Sequence, residues 1–263
     1  MNSLDFCKKK IHREKISMVT CYDYTSACIL AKTNIDCILV GDSAAMTMHG
    51  YSDTVSATID MMYYHTAAVR RGAKNKFIIG DLPFLSYRQS INKSMEAVKA
   101  LMQAGAHAIK LEGATGNLKL IRHLSDSGIP VIGHIGLTPQ FIHGLGGYKI
   151  QGETDASVAK LKDDAMELQN AGCVAIVLEC MPTQLAKDIT TSLMIPTIGI
   201  GAGAFTDGQV LVFQDLLGLN PDFNAKFVKK FMNGAEQIKN SVNTFIHEIN
   251  TGLFPNDEHS YRN

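Results

Sequence analysis

The chain has 263 residues, 46% hydrophobic and 19% charged, which supplies a large core and excludes intrinsic disorder. Its 25 basic and 25 acidic residues cancel, so it lacks the positive field that nucleic acid or an anionic membrane surface selects. No window approaches the roughly 18 uninterrupted apolar residues of a membrane span, and the basic run within Met1–Lys10 lacks a signal peptide's apolar segment.

In chain order, short runs rich in Ile, Val and Leu alternate with polar turns and helical periodicity. The runs are Ile16–Tyr22, Cys37–Asp42, Phe77–Leu82, Ala108–Gly113, Pro130–Ile135, Ala175–Cys180, Pro196–Gly201 and Val210–Leu217, the last equally readable as a helix start. Continuous apolar runs bounded by turn signals suit strands buried on both faces, as in parallel sheets. Between them, Met95, Val98, Leu101 and Met102 precede Gly105 at helical spacing. Val158, Leu161, Ala165 and Leu168 do the same between a Thr154 or Asp155 cap and Gly172. Eight such units in this length predict an α/β fold of the (β/α)8 TIM barrel type. An open doubly wound sheet would carry a glycine fingerprint after strand one, where Cys21-Tyr22-Asp23-Tyr24 stands. No composition shift divides the chain. Residues 1–263 therefore read as one barrel domain with a short N-terminal extension and a C-terminal tail.

The strands end alike. Asp42, Asp81, Glu112, His134 and Glu179 each stand at the carboxyl end of strands two to six, which in a barrel converge on one mouth. Single aspartates there often cap helices, but Glu112, His134 and Glu179 are poor capping types. Asp42, Asp81 and Glu112 would line one arc, where three carboxylates repel unless a cation lies among them. Oxygen-only ligands favour Mg2+. Glu179, across the barrel from Asp42, is placed to act as general base. Lys110 shares the strand face of Glu112 and could pair with a substrate carboxylate or form a Schiff base.

Two long segments, Ser43–Thr58 and Gly136–Glu153, read as functional loops. Gly199-Ile-Gly-Ala-Gly203 suits either an anion cradle or close backbone packing. The six cysteines lack CxxC or zinc-type spacing. They read as reduced, mostly buried thiols of a cytoplasmic protein.

At these residues the chain resembles the ketopantoate hydroxymethyltransferase family. The resemblance rests on Thr20-Cys-Tyr-Asp-Tyr24, Val40-Gly-Asp-Ser43, Tyr64-His-Thr66, Asp81-Leu-Pro-Phe84 and Lys110-Leu-Glu-Gly113. It continues through Gly133-His-Ile-Gly-Leu-Thr-Pro-Gln140, Leu145-Gly-Gly-Tyr148, Leu178-Glu-Cys180 and Pro196–Gly203, covering Lys15 to Leu219, with a similar tail at Phe254-Pro and Glu258–Ser260. Departures are Ala114, where glycine is usual, and Cys173, where alanine is. The resemblance implies a (β/α)8 barrel that moves a hydroxymethyl group from 5,10-methylenetetrahydrofolate to 3-methyl-2-oxobutanoate, giving 2-dehydropantoate, the first step of pantothenate synthesis. It implies one Mg2+ per subunit on Asp42, Asp81 and Glu112, ketoacid binding by Asp42, Ser43, Asp81 and Lys110, and Glu179 as proton acceptor. It also implies a homodecamer, a pentamer of dimers. In this scheme Mg2+ polarises the ketoacid, Glu179 takes its C3 proton, and the resulting enolate attacks the folate methylene. His134 is expected to hydrogen-bond substrate or a ligand carboxylate. The competing reading is a magnesium-dependent C–C lyase of the isocitrate lyase and phosphoenolpyruvate mutase kind, which shares the barrel. Its KKCGH-like lid is missing from the sequence.

Overall fold

The computed structural model of the protein describes residues 1–261. The strands are β1 (Ile16–Thr20), β2 (Cys37–Val40), β3 (Phe77–Asp81), β4 (Ala108–Glu112), β5 (Val131–Gly136), β6 (Cys173–Glu179), β7 (Thr197–Ile200) and β8 (Gly208–Leu211). They pair in parallel and in sequence order, and β8 closes on β1, so the sheet is a barrel. The helices are α1 (Ser3–Ile11), α2 (Tyr24–Leu30), α3 (Ala44–Thr47), α4 (Ile59–Gly72), α5 (Ile91–Ala104), α6 (Leu118–Asp126), α7 (Ile142–Leu145), α8 (Asp155–Asn170), α9 (Thr183–Ser192), α10 (Phe213–Leu216) and α11 (Gly234–Thr251). Two compact units result, residues 1–212 and the segment from Phe213 onward. In the second, α11 ends at left-handed Gly252, and Phe254 packs edge-on against Phe245.

The alternation of side chains along each strand decides what fills the barrel. Ile16, Met18, Cys37, Leu39, Phe77, Ile79, Ala108, Ile132, Ala175, Val177, Ile198 and Val210 form one buried apolar cluster. Continuing the same parity toward the carboxyl ends brings Asp81, Lys110, Glu112, His134 and Glu179 inward. Asp42 follows the last residue of β2 by two and enters from the turn.

The expected helices form where the periodicity placed them. α8 carries a capping box between Thr154 and Ser157 and buries Leu161, Ala165 and Leu168, while α5 buries Val98 and Leu101. Three features differ from the sequence expectation. The eighth apolar run straddles an element boundary: β8 starts at Gly208, and Phe213–Leu216 is helical. Gly208 is required there, because a Cβ would stand 2.4 Å from the Ile16 carbonyl oxygen. The two long loops contain α3, α7 and a 3-10 turn at Pro139–Phe141. The N-terminal extension is a helix, capped by an Asn2–Asp5 box. Its Phe6, fully buried, packs edge-on against Phe77 at 5.5 Å and joins the barrel cluster.

All six cysteines are free thiols; Cys21, Cys37 and Cys173 are buried, and Cys7, Cys28 and Cys180 half-buried. The glycines at Gly199 and Gly203 serve close packing, since a Cβ would meet Thr206 at 2.7 Å and Thr183 at 2.5 Å. No described helix is long and apolar enough to cross a membrane.

Candidate active site

At the carboxyl mouth, Asp42, Asp81, Lys110, Glu112 and His134 are all at most 4% exposed. Lys110 Nζ donates to both carboxylate oxygens of Asp81, at 2.9 and 2.8 Å, and lies 3.5 Å from Glu112 Oε1. The backbone N–H of Asp42 donates to Asp81 Oδ2 at 3.2 Å. His134 bridges the arc to the opposite wall: its Nδ1 is 3.3 Å from Glu112 Oε1 and its Nε2 3.1 Å from Glu179 Oε2. Glu179 is the most open acid of the group, with its side chain 16% exposed. Beside it, Gly136 adopts φ 95°, and a Cβ there would overlap the Glu179 carbonyl oxygen.

The electrostatics follow from three carboxylates in a dry space. Burial, then the charges of Asp81 and Glu112, hold the Asp42 carboxyl well above the ordinary aspartate range. Asp81 is also raised, by burial against the opposing pull of Lys110. Burial works against the charge of Lys110, but Asp81, Glu112 and Asp42 outweigh it and keep the ammonium protonated. A protonated amine is no nucleophile, so this pairing disfavours a Schiff base. Glu112 is held below its ordinary value despite burial, because Lys110 and His134 face it. Burial and Lys110 oppose protonation of His134, yet contact with Glu112 and Glu179 pushes its pKa up to about 9.

Among the described residues no three His, Cys, Asp or Glu side chains converge as a ready-made ion cage; Lys110 Nζ lies between Asp81 and Glu112. The donor chemistry nevertheless fits a hard divalent cation. It is all oxygen, its crowded negative charge adds to burial in lifting Asp42, and Glu112 Oε1 is buried with only the poorly aligned approaches of His134 Nδ1 and Lys110 Nζ to meet it. Ser43, at the start of α3, exchanges a 2.7 Å hydrogen bond with the Tyr22 hydroxyl.

The structure adds residues that the strand-end pattern misses. Gln140, 2% exposed on the 3-10 turn, donates from Nε2 to Asp42 Oδ2 at 2.8 Å and to the Leu82 carbonyl at 2.9 Å. Its backbone N–H donates to Glu112 Oε2 at 3.0 Å, and its Oε1 accepts the Tyr87 hydroxyl at 2.7 Å. One residue therefore ties two of the three acids together, Asp42 through its side chain and Glu112 through its backbone. Arg88 and Asn117 secure the Glu112 carbonyl, at 3.2 and 2.9 Å. The one sequence signal for Gln140 was its place in the run Gly133–Gln140.

Residues 1–257 match the family described as Ketopantoate hydroxymethyltransferase. The 3-methyl-2-oxobutanoate hydroxymethyltransferase of Coxiella burnetii is 58% identical over 263 residues, covering 99% of each chain. That of Francisella tularensis subsp. tularensis is 56% identical over 258 residues, covering 98% of this chain and 97% of the relative. Among solved structures, a phosphonopyruvate hydrolase complexed with oxalate and Mg++ superposes with a TM-score of 0.64 at 9% identity, covering 98% of this chain and 93% of that one. A 2,3-dimethylmalate lyase of the PEP mutase/isocitrate lyase superfamily gives 0.61 at 14% identity, with 98% and 91% covered. Likeness at these identities is likeness of fold.

Proposed function

The chain belongs to the ketopantoate hydroxymethyltransferase family, and from that premise we propose that it transfers a hydroxymethyl group from 5,10-methylenetetrahydrofolate to 3-methyl-2-oxobutanoate, giving 2-dehydropantoate. The observation that carries the chemistry is the closed arc of Asp42, Asp81, Lys110 and Glu112, joined through His134 to an opposite, more open Glu179. Asp42, Asp81 and Glu112 would hold one Mg2+ per subunit, which when bound polarises the keto group and acidifies the neighbouring C–H.

The protein's own groups do the rest. Lys110 directs its ammonium at both oxygens of Asp81 and would turn its third N–H, which lies 3.5 Å from Glu112, to the substrate carboxylate, with the Ser43 hydroxyl as second contact. Glu179 takes the C3 proton onto a carboxylate oxygen while the His134 imidazole orients that carboxylate from its Oε2 side. The carbon left with the electron pair bonds to the methylene carbon of the ring-opened iminium form of the donor, whose C=N electron pair returns to nitrogen; a water oxygen then bonds to that carbon as its C–N bond breaks, and the water proton passes to nitrogen, giving the hydroxymethylated ketoacid and tetrahydrofolate. Confinement of the acids excludes bulk water from the deprotonated carbon.

Glu179→Gln tests this directly. The variant should still bind 3-methyl-2-oxobutanoate but lose C3 hydrogen exchange with deuterated solvent by about 10²–10⁴-fold; undiminished exchange removes Glu179 from the role. A lyase acting on 2-methylisocitrate has only the shared fold in its favour. The same reading makes the protein a cytoplasmic homodecamer, a pentamer of dimers with one catalytic barrel per chain. Sedimentation velocity checks the assembly.

A further inference from the structure

If the protein has the function proposed, a second substrate must reach the carbon that Glu179 deprotonates. The barrel base is filled by apolar side chains and the acids of the arc are almost fully buried, so a second reactant must approach on the Glu179 side. Over that opening runs the segment between β5 and α8, pinned at both ends to the end of β6. Leu137 N–H donates to the Glu179 carbonyl at 2.9 Å, and Gln151 N–H to the Cys180 carbonyl at 2.8 Å.

Tyr148 lies on this segment, 54% exposed. Its hydroxyl reaches Met46 Sδ, 3.8 Å away on α3, so the ring stretches from the β6 side of the mouth toward the β2 side. Its phenol pKa is raised, first by burial and then by the charge of Asp53, whose carboxylate faces His143 on the same segment. Asp53 comes from the loop between α3 and α4. Its Oδ1 accepts the Val55 N–H at 3.0 Å, while Oδ2 faces His143 Nε2 at 3.8 Å, beyond hydrogen-bond range. The rim thus presents an aromatic face and a carboxylate oxygen free to accept.

That pairing matches the head of a reduced folate. One edge of its bicyclic ring carries an amino group and a ring N–H side by side, a planar donor fork like that of a guanidinium, which a carboxylate accepts. The flat ring itself stacks on a phenol, and the half-buried Met46 and exposed Met48 adapt around it. We infer that Asp53 and Tyr148 form the docking place of the folate donor's ring, holding the methylene carbon above the carbon that Glu179 deprotonates.

Asp53→Asn and Tyr148→Ala test it, because the two halves of the reaction separate. Solvent exchange of the ketoacid C3 hydrogen with Mg2+ and no folate reads the ketoacid side; the KM for 5,10-methylenetetrahydrofolate and tetrahydrofolate binding by calorimetry read the donor side. Both variants should raise the donor KM and weaken tetrahydrofolate binding by about tenfold or more, with exchange within about twofold of the parent. An unchanged donor KM in either variant overturns the assignment. Exchange that falls in step with turnover overturns it too, by placing these residues at the ketoacid. A parent protein that shows no exchange defeats the proposed function instead, so the two failures are distinguishable.

Discussion

Lys110→Met puts the charge balance of the arc to a quantitative test. The substitution keeps the side chain's volume but removes the ammonium that sits 2.9 and 2.8 Å from Asp81 and 3.5 Å from Glu112, with the Lys110 side chain only 5% exposed. Breaking a buried ion pair by removing one partner costs about 3–5 kcal/mol, because the remaining charge stays desolvated. The variant should lose that much at pH 7 in EDTA, read by urea unfolding at matched protein concentration. The sign with pH is fixed by the same groups. Asp42 and Asp81 already bind protons more tightly folded than unfolded, so their contribution is present at low pH and lost as pH rises through their folded pKa values. Removing Lys110 strengthens that tendency, and the variant should recover relative to the parent on acidification. One additional proton bound in the folded state is worth about 1.4 kcal/mol per pH unit, so the deficit should shrink steadily as the pH is lowered below 7. Saturating Mg2+ at pH 7 should also narrow it. A variant as stable as its parent in EDTA, or a deficit indifferent to pH, refutes the argument that Lys110 neutralises the acids.

Two further substitutions address the supports. Phe6→Ala should destabilise by about 3–5 kcal/mol in the same unfolding assay, because a fully buried ring is removed from the barrel cluster; a loss under 1 kcal/mol would mean that α1 is peripheral to the core. Gln140→Met, which deletes the hydrogen bonds to Asp42, Leu82 and Tyr87, should weaken Mn2+ binding about 10–100-fold in electron paramagnetic resonance titrations. Unchanged affinity would show that Asp42 holds its position without Gln140.

Much of the barrel was legible because its strands are buried on both faces and therefore spell unbroken apolar runs. The eighth was obscured because β8 begins with Gly208 and Gln209, whose place is set by backbone pairing to Ile16 and Ser17 rather than by hydrophobicity. α1 was hidden by its composition: Lys8, Lys9 and Lys10 dominate it, and a single ring, Phe6, anchors it. Asp81, Lys110, Glu112, His134 and Glu179 were visible because each rides a strand whose apolar residues announce the inward parity. Gln140 left no such trace. Its role arises where the 3-10 turn after β5 crosses toward β2, a long-range meeting that no local spacing encodes. Tyr148 and Asp53 belong to the same class, lying almost a hundred positions apart in the sequence.

The inward parity has a developmental consequence for the protein's descendants. Deleting one residue inside β4 ahead of Lys110 would swing Lys110 and Glu112 out among the surrounding helices and install Leu111 in their stead, so the charged arc tolerates no drift in strand length. The rim obeys no such rule, since its side chains hang from turns whose lengths can vary without disturbing the staves. Selection for a different electrophile would therefore act on the rim first, and inherit the carbon-acid chemistry underneath it unaltered.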